Sequence, residues 1–199
     1  ETTPLTFEQQ RIWRSARIDP ASAAFNICGQ AELSGPLNVS ALQQALREIA
    51  RRHDTLRSRI VGPDDRCAWA VAADNDIPLP FVDLTKIGDA DNAIARVRAA
   101  EGKRRFDLRL GPLLRVTLVR RSDRHHVLIL TVHHLIFDHW SVQVLTHEMH
   151  ALYAAYSRGQ RSPLVELREQ FSQYAPAELE RVNSSGFDAG LAFWERQLH

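Results

Sequence analysis

Apolar and polar positions along this chain switch between a helical and a two-residue period, and the switches mark its elements. Thr6 can cap a helix over residues 6–16, where Phe7, Gln10-Arg11 and Trp13 recur at helical spacing, and a loop at Asp19-Pro20 ends it. Residues 25–33 alternate roughly in period two and stop at Ser34-Gly35-Pro36, as a strand does. Leu37 and Val39 lead into Ser40 and an amphipathic helix that gathers Leu42, Leu46, Ile49 and Ala50 on one face and turns Gln43, Arg47, Glu48 and Arg51 away.

Residues 56–61 and 67–72 flank Gly62-Pro63-Asp64-Asp65, which predicts a hairpin with a loop longer than the tightest class. Residues 81–84 read as a short edge segment, and residues 89–105 as a polar-faced helix carrying Ala93, Ile94, Val97 and Ala100. The strongest strands, 113–120 and 127–134, are joined by Arg121-Ser122-Asp123-Arg124 and predict a second hairpin. A helix over 141–156 follows, with Val142, Leu145, Met149, Leu152 and Tyr156 in one stripe and a stop at Ser157-Arg158-Gly159. Residues 164–199 read as helical, with an interruption near Pro176 and a loop at Asn183-Ser184-Ser185-Gly186. This order predicts the α+β class, a mixed sheet with antiparallel hairpins flanked by helices.

With 199 residues the chain is long enough for one large domain or one half of a bilobal protein. Its 25 basic and 24 acidic side chains nearly cancel, which argues against nucleic acid as a partner. The longest apolar run, around Val127-Leu128-Ile129-Leu130, falls well short of the roughly 18–20 residues that span a bilayer. The first residue is Glu1, and nothing near it has the order of a secretory signal, so the chain reads as a piece of something longer. Cys28 and Cys67 sit in neither a metal nor a redox spacing, which fits a reducing, cytoplasmic setting. Ten of the 25 basic residues crowd positions 96–124, a stretch read mainly as solvated surface.

Chemistry concentrates where the last strong strand ends, at His133-His134-Leu135-Ile136-Phe137-Asp138-His139-Trp140-Ser141. Free histidine titrates near neutrality and can take a proton from an attacking amine or hydroxyl, and a carboxylate four residues on can orient the ring or hold the loop. Alternation puts His134 on the face of Leu128, Leu130 and Val132, so only one of the two histidines can face a reaction. By themselves these residues fit a core or loop role equally well.

Four other segments add to this one, and together they resemble the condensation domains of nonribosomal peptide synthetases, in the chloramphenicol-acetyltransferase-like superfamily marked by His-His-x-x-x-Asp. Leu5-Thr6-Phe7-Glu8-Gln9-Gln10-Arg11-Ile12-Trp13 is similar to the family's opening motif. Arg52-His53-Asp54-Thr55-Leu56-Arg57 resembles its Arg-His-Glu-x-Leu-Arg motif, with Asp for Glu. Phe106-Asp107-Leu108 with Gly111-Pro112-Leu113-Leu114-Arg115 resembles the entry to the active-site hairpin, and Gln173-Tyr174-Ala175 with residues 191–198 resembles the stretch after the active-site helix.

The resemblance implies a chloramphenicol-acetyltransferase-like fold, with residues 1–199 as the N-terminal lobe of a condensation domain and the C-terminal lobe absent. It implies amide bond formation between a carrier-protein-bound acyl or peptidyl thioester and an aminoacyl acceptor. His134, with His133 and Asp138 beside it, would form the catalytic group, His134 acting as base or as positioning group. Asp138 would pair with Arg52 in a structural salt bridge, and Arg57, His139, Trp140 and Ser141 would support the site. No metal and no directly bound cofactor is implied; 4'-phosphopantetheine arrives on donor and acceptor carrier proteins, and the isolated lobe is expected to be inactive. A coenzyme-A-dependent acyltransferase and a non-catalytic carrier-docking relative are the alternatives.

His139 stands where the family usually has Gly, so its ring is expected to narrow the channel, add a titratable group or mark lost activity. His147-Glu148-Met149-His150 has the wrong spacing for a zinc motif. Ser141 lacks a nucleophile-elbow context and reads as the N-cap of the following helix.

Overall fold

The computed structural model describes residues 2–182 and 186–198. Strands β1 (Thr2–Pro4), β3 (Ser58–Val61) and β4 (Ala68–Val71) form a three-stranded sheet in the order β1-β4-β3. Strands β2 (Asn26–Ser34), β5 (Phe81–Asp83), β6 (Leu114–Ser122) and β7 (His125–His133) form a four-stranded sheet in the order β2-β7-β6-β5. All neighbours pair antiparallel except β5 and β6, so the sheet is mixed as the pattern predicts.

Helices α1 (Phe7–Ile18), α2 (Val39–Arg52), α3 (Ala90–Lys103) and α4 (His139–Tyr156) pack on these sheets, with α5 (Phe171–Val182) and α6 (Gly186–Leu198) following. Alternation along the strands divides the core between the two faces of the larger sheet. Val116, Leu118, Leu128 and Val132 join Leu42, Leu46 and Ile49 of α2 and Leu152 of α4 in the main cluster. Val119, Val127 and Ile129 turn the other way, onto Ile94 of α3.

Helix starts follow their capping chemistry. Thr6 and Gln9 form a reciprocal capping box on α1. Asn38 caps α2, and Asp89 caps α3. Gly159, at φ +68, ends α4 in the left-handed conformation that glycine adopts without penalty.

Several features depart from the pattern. β1 is too short, and too disrupted by Pro4, to carry a period. Pro176 lies inside α5 rather than interrupting it, and α5 begins only at Phe171, so residues 160–170 form a non-helical strap. Of the predicted loop Asn183-Ser184-Ser185-Gly186, the first three residues lie outside the described ones, and Gly186 opens α6.

The strap is tied to the end of α2 and the turn after it by hydrogen bonds from both sides. Arg52 Nη1 donates to the Val165 carbonyl at 2.9 Å, and Gln170 Nε2 donates to the Arg52 carbonyl at 2.8 Å. The backbone N–H groups of Asp54 and Ser172 close the link through the side chains of Gln170 and Asp54.

Between α2 and α4, Arg52 Nη2 meets Glu148 Oε1 at 3.0 Å, with side chains only 3% and 8% exposed. Burial alone would raise the Glu148 carboxyl, but the hydrogen bonds from Arg52 and His53 outweigh it and hold the group below its usual range. Removing one partner strands a buried charge, so Arg52→Ala is expected to cost about 3–5 kcal/mol in urea unfolding. Exchanging both partners, as Arg52→Met with Glu148→Leu, should recover most of that loss.

Candidate active site

A cavity of about 480 Å³ opens beside the end of β7. Its walls are the start of α1 (Thr6, Gln9, Ile12), the end of α2 (Ile49, His53), the loop from His134 to Asp138, the first turns of α4 (Trp140, Ser141, Val144) and Phe171. His134 lines this cavity and is exposed, whereas His133 is buried.

The two histidines part because the strand ends between them. His133 is the last residue of β7; its ring packs 6.0 Å from those of Phe25 and Phe106. The Leu135 N–H donates to His133 Nδ1 at 3.2 Å, which makes that nitrogen the lone-pair atom of a neutral ring. Burial, with His134 adding a smaller push, lowers the His133 pKa to about 4. His133 therefore supports the site as a neutral packing group rather than reaching the cavity, which narrows the role expected for it.

The His134 backbone N–H donates to Phe25 O at 2.7 Å, and then the chain turns. His134 Nδ1 lies 2.7 Å from Phe137 O. A carbonyl can only accept, so Nδ1 carries the hydrogen and Nε2 carries the lone pair. Gln9 braces the loop behind this turn: Nε2 donates to Leu135 O at 3.1 Å, while Oε1 accepts from Trp69 Nε1 at 2.8 Å.

Asp138 does not pair with Arg52. It is the N-cap of α4, and its carboxylate accepts from Ser141 N at 2.8 Å and Ser141 Oγ at 2.7 Å. These bonds to Ser141 are the main reason its carboxyl is held below the usual range. Arg52 is committed to Glu148, a carboxylate that points inward from the middle of α4. Ser141 is accordingly the third helical residue of a capping box, not the cap itself.

Arg57 donates to the carbonyls of Ala50, Arg51 and Ala72, closing the C-terminal end of α2 without lining the cavity. His139 is the exposed first residue of α4 and is not among the cavity-lining residues. Trp140 lines the cavity and is 71% exposed, so its indole is presented rather than packed. Within His147-Glu148-Met149-His150 the Glu is buried against Arg52 while both histidines lie nearer the surface.

Sequence reasoning misses His53 and Glu148 as site residues. His53 Nε2 lies 2.8 Å from Glu148 Oε2, and the residue lines the same cavity as His134. The available signal is a glutamate on the apolar stripe of a helix, between Leu145 and Leu152.

A family model described as "Condensation domain" matches residues 1–199, and the chain belongs to that family. Among curated relatives, a linear gramicidin synthase of Brevibacillus parabrevis is 34% identical over 98% of this chain and 4% of its own length. Phosphinothricin tripeptide synthetase PhsB of Streptomyces viridochromogenes is 35% identical over 98% of this chain and 16% of its length. Among solved structures, the starter condensation domain of rhizomide synthetase RzmA aligns with a TM-score of 0.90 at 21% identity, over 99% of this chain and 48% of that one. The first condensation domain of the calcium-dependent antibiotic synthetase aligns at 0.86 and 22%, over 98% of this chain and 46% of that one. The chain thus spans a small part of these synthetases and about half of the solved domains, whose likeness bears out the predicted fold.

Two stability effects follow. Asp138→Ala should lose about 1 kcal/mol, the usual size of an N-cap contribution, while Asp138→Asn keeps an acceptor and loses much less, as read by thermal melts. His133 binds a proton less readily folded than unfolded, so stability should fall as the pH drops from 6.5 towards 4. His133→Phe should remove most of that slope in urea titrations across the same window.

Proposed function

We propose that this chain is the histidine-bearing N-terminal lobe of a condensation domain, and that a second lobe closes the open side of its cavity. The domain joins a donor acyl or peptidyl thioester to the α-amine of an aminoacyl acceptor. Donor and acceptor are each carried on 4'-phosphopantetheine by a carrier protein.

The observation that carries this reading is the His134 turn: Nδ1–H is bound to Phe137 O, which leaves Nε2 as the proton-accepting nitrogen of a residue lining a 480 Å³ cavity. The synthetase identity of the curated relatives supports the same reaction class.

The step balances without an outside reagent. The acceptor nitrogen attacks the thioester carbonyl, and a C–N bond forms as the C–S bond breaks. His134 Nε2 takes the proton released from nitrogen and returns it to the leaving thiolate. Asp138 acts at one remove, because capping α4 holds the start of the helix against the loop that carries His134. His133, neutral and enclosed, backs the turn from the other side.

Among the described residues no helix is long and apolar enough to cross a membrane. Cys28 and Cys67 are both free thiols, which fits a cytoplasmic setting.

In the intact domain, His134→Ala is expected to lower amide formation by about 10²–10⁴-fold, the usual range for a general base, while losing only about 1 kcal/mol of stability with the hydrogen bond to Phe137 O. Mass spectrometry of the acceptor carrier after mixing with a loaded donor carrier reads the product. Unchanged turnover would remove His134 from the mechanism. The 199-residue chain alone should give no product under the same conditions, and efficient condensation by it would refute the two-lobe reading.

A further inference from the structure

The cavity holds a second imidazole that the reaction above leaves unused. His53 ends α2, and its backbone is fixed on both sides: its N–H donates to Ile49 O, and its carbonyl accepts from Leu56 N–H. Its side chain is 24% exposed, and the residue lines the same cavity as His134.

Glu148 sets the orientation of that ring. A carboxylate accepts and does not donate, so His53 Nε2, 2.8 Å from Glu148 Oε2, must carry the hydrogen. Arg52 holds the other oxygen of Glu148, at 3.0 Å from Oε1, so the carboxylate is fixed from both sides. In the neutral ring the lone pair then sits on Nδ1. Two imidazoles of complementary tautomer therefore line one space, His134 with Nε2 as its acceptor and His53 with Nδ1.

We propose that His53 is a second substrate-contacting residue of this site, accepting a hydrogen bond from the N–H of the acceptor amine, and that Glu148 is the positioning residue that orients it. This rests on the reaction class proposed above. An attacking amine has more than one N–H, and an acceptor on each of two walls directs its lone pair better than one acceptor can. Arg52 joins the device to the strap through Val165, which links the ring's placement to the segment that seats Phe171.

The test uses the intact domain with a loaded donor carrier and a small primary amine, an amino-acid amide, as the varied acceptor. His53→Ala should raise the acceptor KM by about 5–10-fold, the size of one neutral hydrogen bond, and leave the donor KM unchanged. His53→Asn, which places an amide oxygen near the former Nδ1, should return the acceptor KM to within about twofold of the parent. Any of three results overturns the proposal: an unchanged acceptor KM in folded His53→Ala, equal losses on donor and acceptor, or no recovery in His53→Asn. Two different results would instead remove the reaction class, and this proposal with it: no amide from the parent, or full turnover in His134→Ala.

Discussion

One guanidinium and one carboxylate, both withdrawn from water between α2 and α4, fix how these two helices meet. Leu42, Leu46, Ile49 and Leu152 supply adhesion between the helices and the sheet, but apolar burial is non-directional and tolerates sliding. A buried ion pair does not. Desolvating Arg52 and Glu148 is unfavourable unless their atoms meet at hydrogen-bond distance, so only a narrow range of helix placements is compatible with folding. The pair thereby sets where α2 ends. That end places His53 at the cavity, starts the turn from Asp54 to Arg57, and anchors the strap through Val165 and Gln170.

Neighbouring histidines of identical chemistry end up with unlike properties for a similarly local reason. His133 is still paired in β7, so its ring follows the pleat inward to Phe25 and Phe106 and remains neutral. One residue later, past the last bond from the His134 N–H to Phe25 O, the chain turns and the loop closes on itself through His134 and Phe137. Gln9, itself committed to Thr6 and Trp69, reaches Leu135 and prevents that loop from relaxing. The opening segment of the chain and the loop that carries His134 are thus parts of one hydrogen-bonded unit, although 126 positions separate Gln9 from Leu135.

What the sequence discloses and what it conceals follows the range of each interaction. Helix α2 and the β6–β7 hairpin are legible because their periods are sustained and their stops are local. β1 and the strap are not, since their partners lie far along the chain and leave no period behind. The partner of Arg52 is concealed on the same ground. Asp138 and Glu148 are both plausible carboxylates, and sequence distance does not rank them. Rank comes from helix geometry: Asp138 precedes the first turn, where free N–H groups and Ser141 compete for it, whereas Glu148 lies between Leu145 and Leu152 on the stripe that faces α2.

Magnitudes decide which of these features matters most to the proposed chemistry. A positioned general base contributes about 10²–10⁴-fold to a proton transfer. Holding an amine and a thioester at attacking distance corresponds to effective concentrations of about 10⁵–10⁸ M. The larger share would therefore come from whatever keeps the cavity walls in register, and in this chain those walls are set by the Arg52–Glu148 pair, the Gln9 brace and the Asp138 cap. Residues that hold the walls are then as consequential to that chemistry as the imidazoles proposed to contact substrate, because a displaced wall loses alignment before it loses basicity.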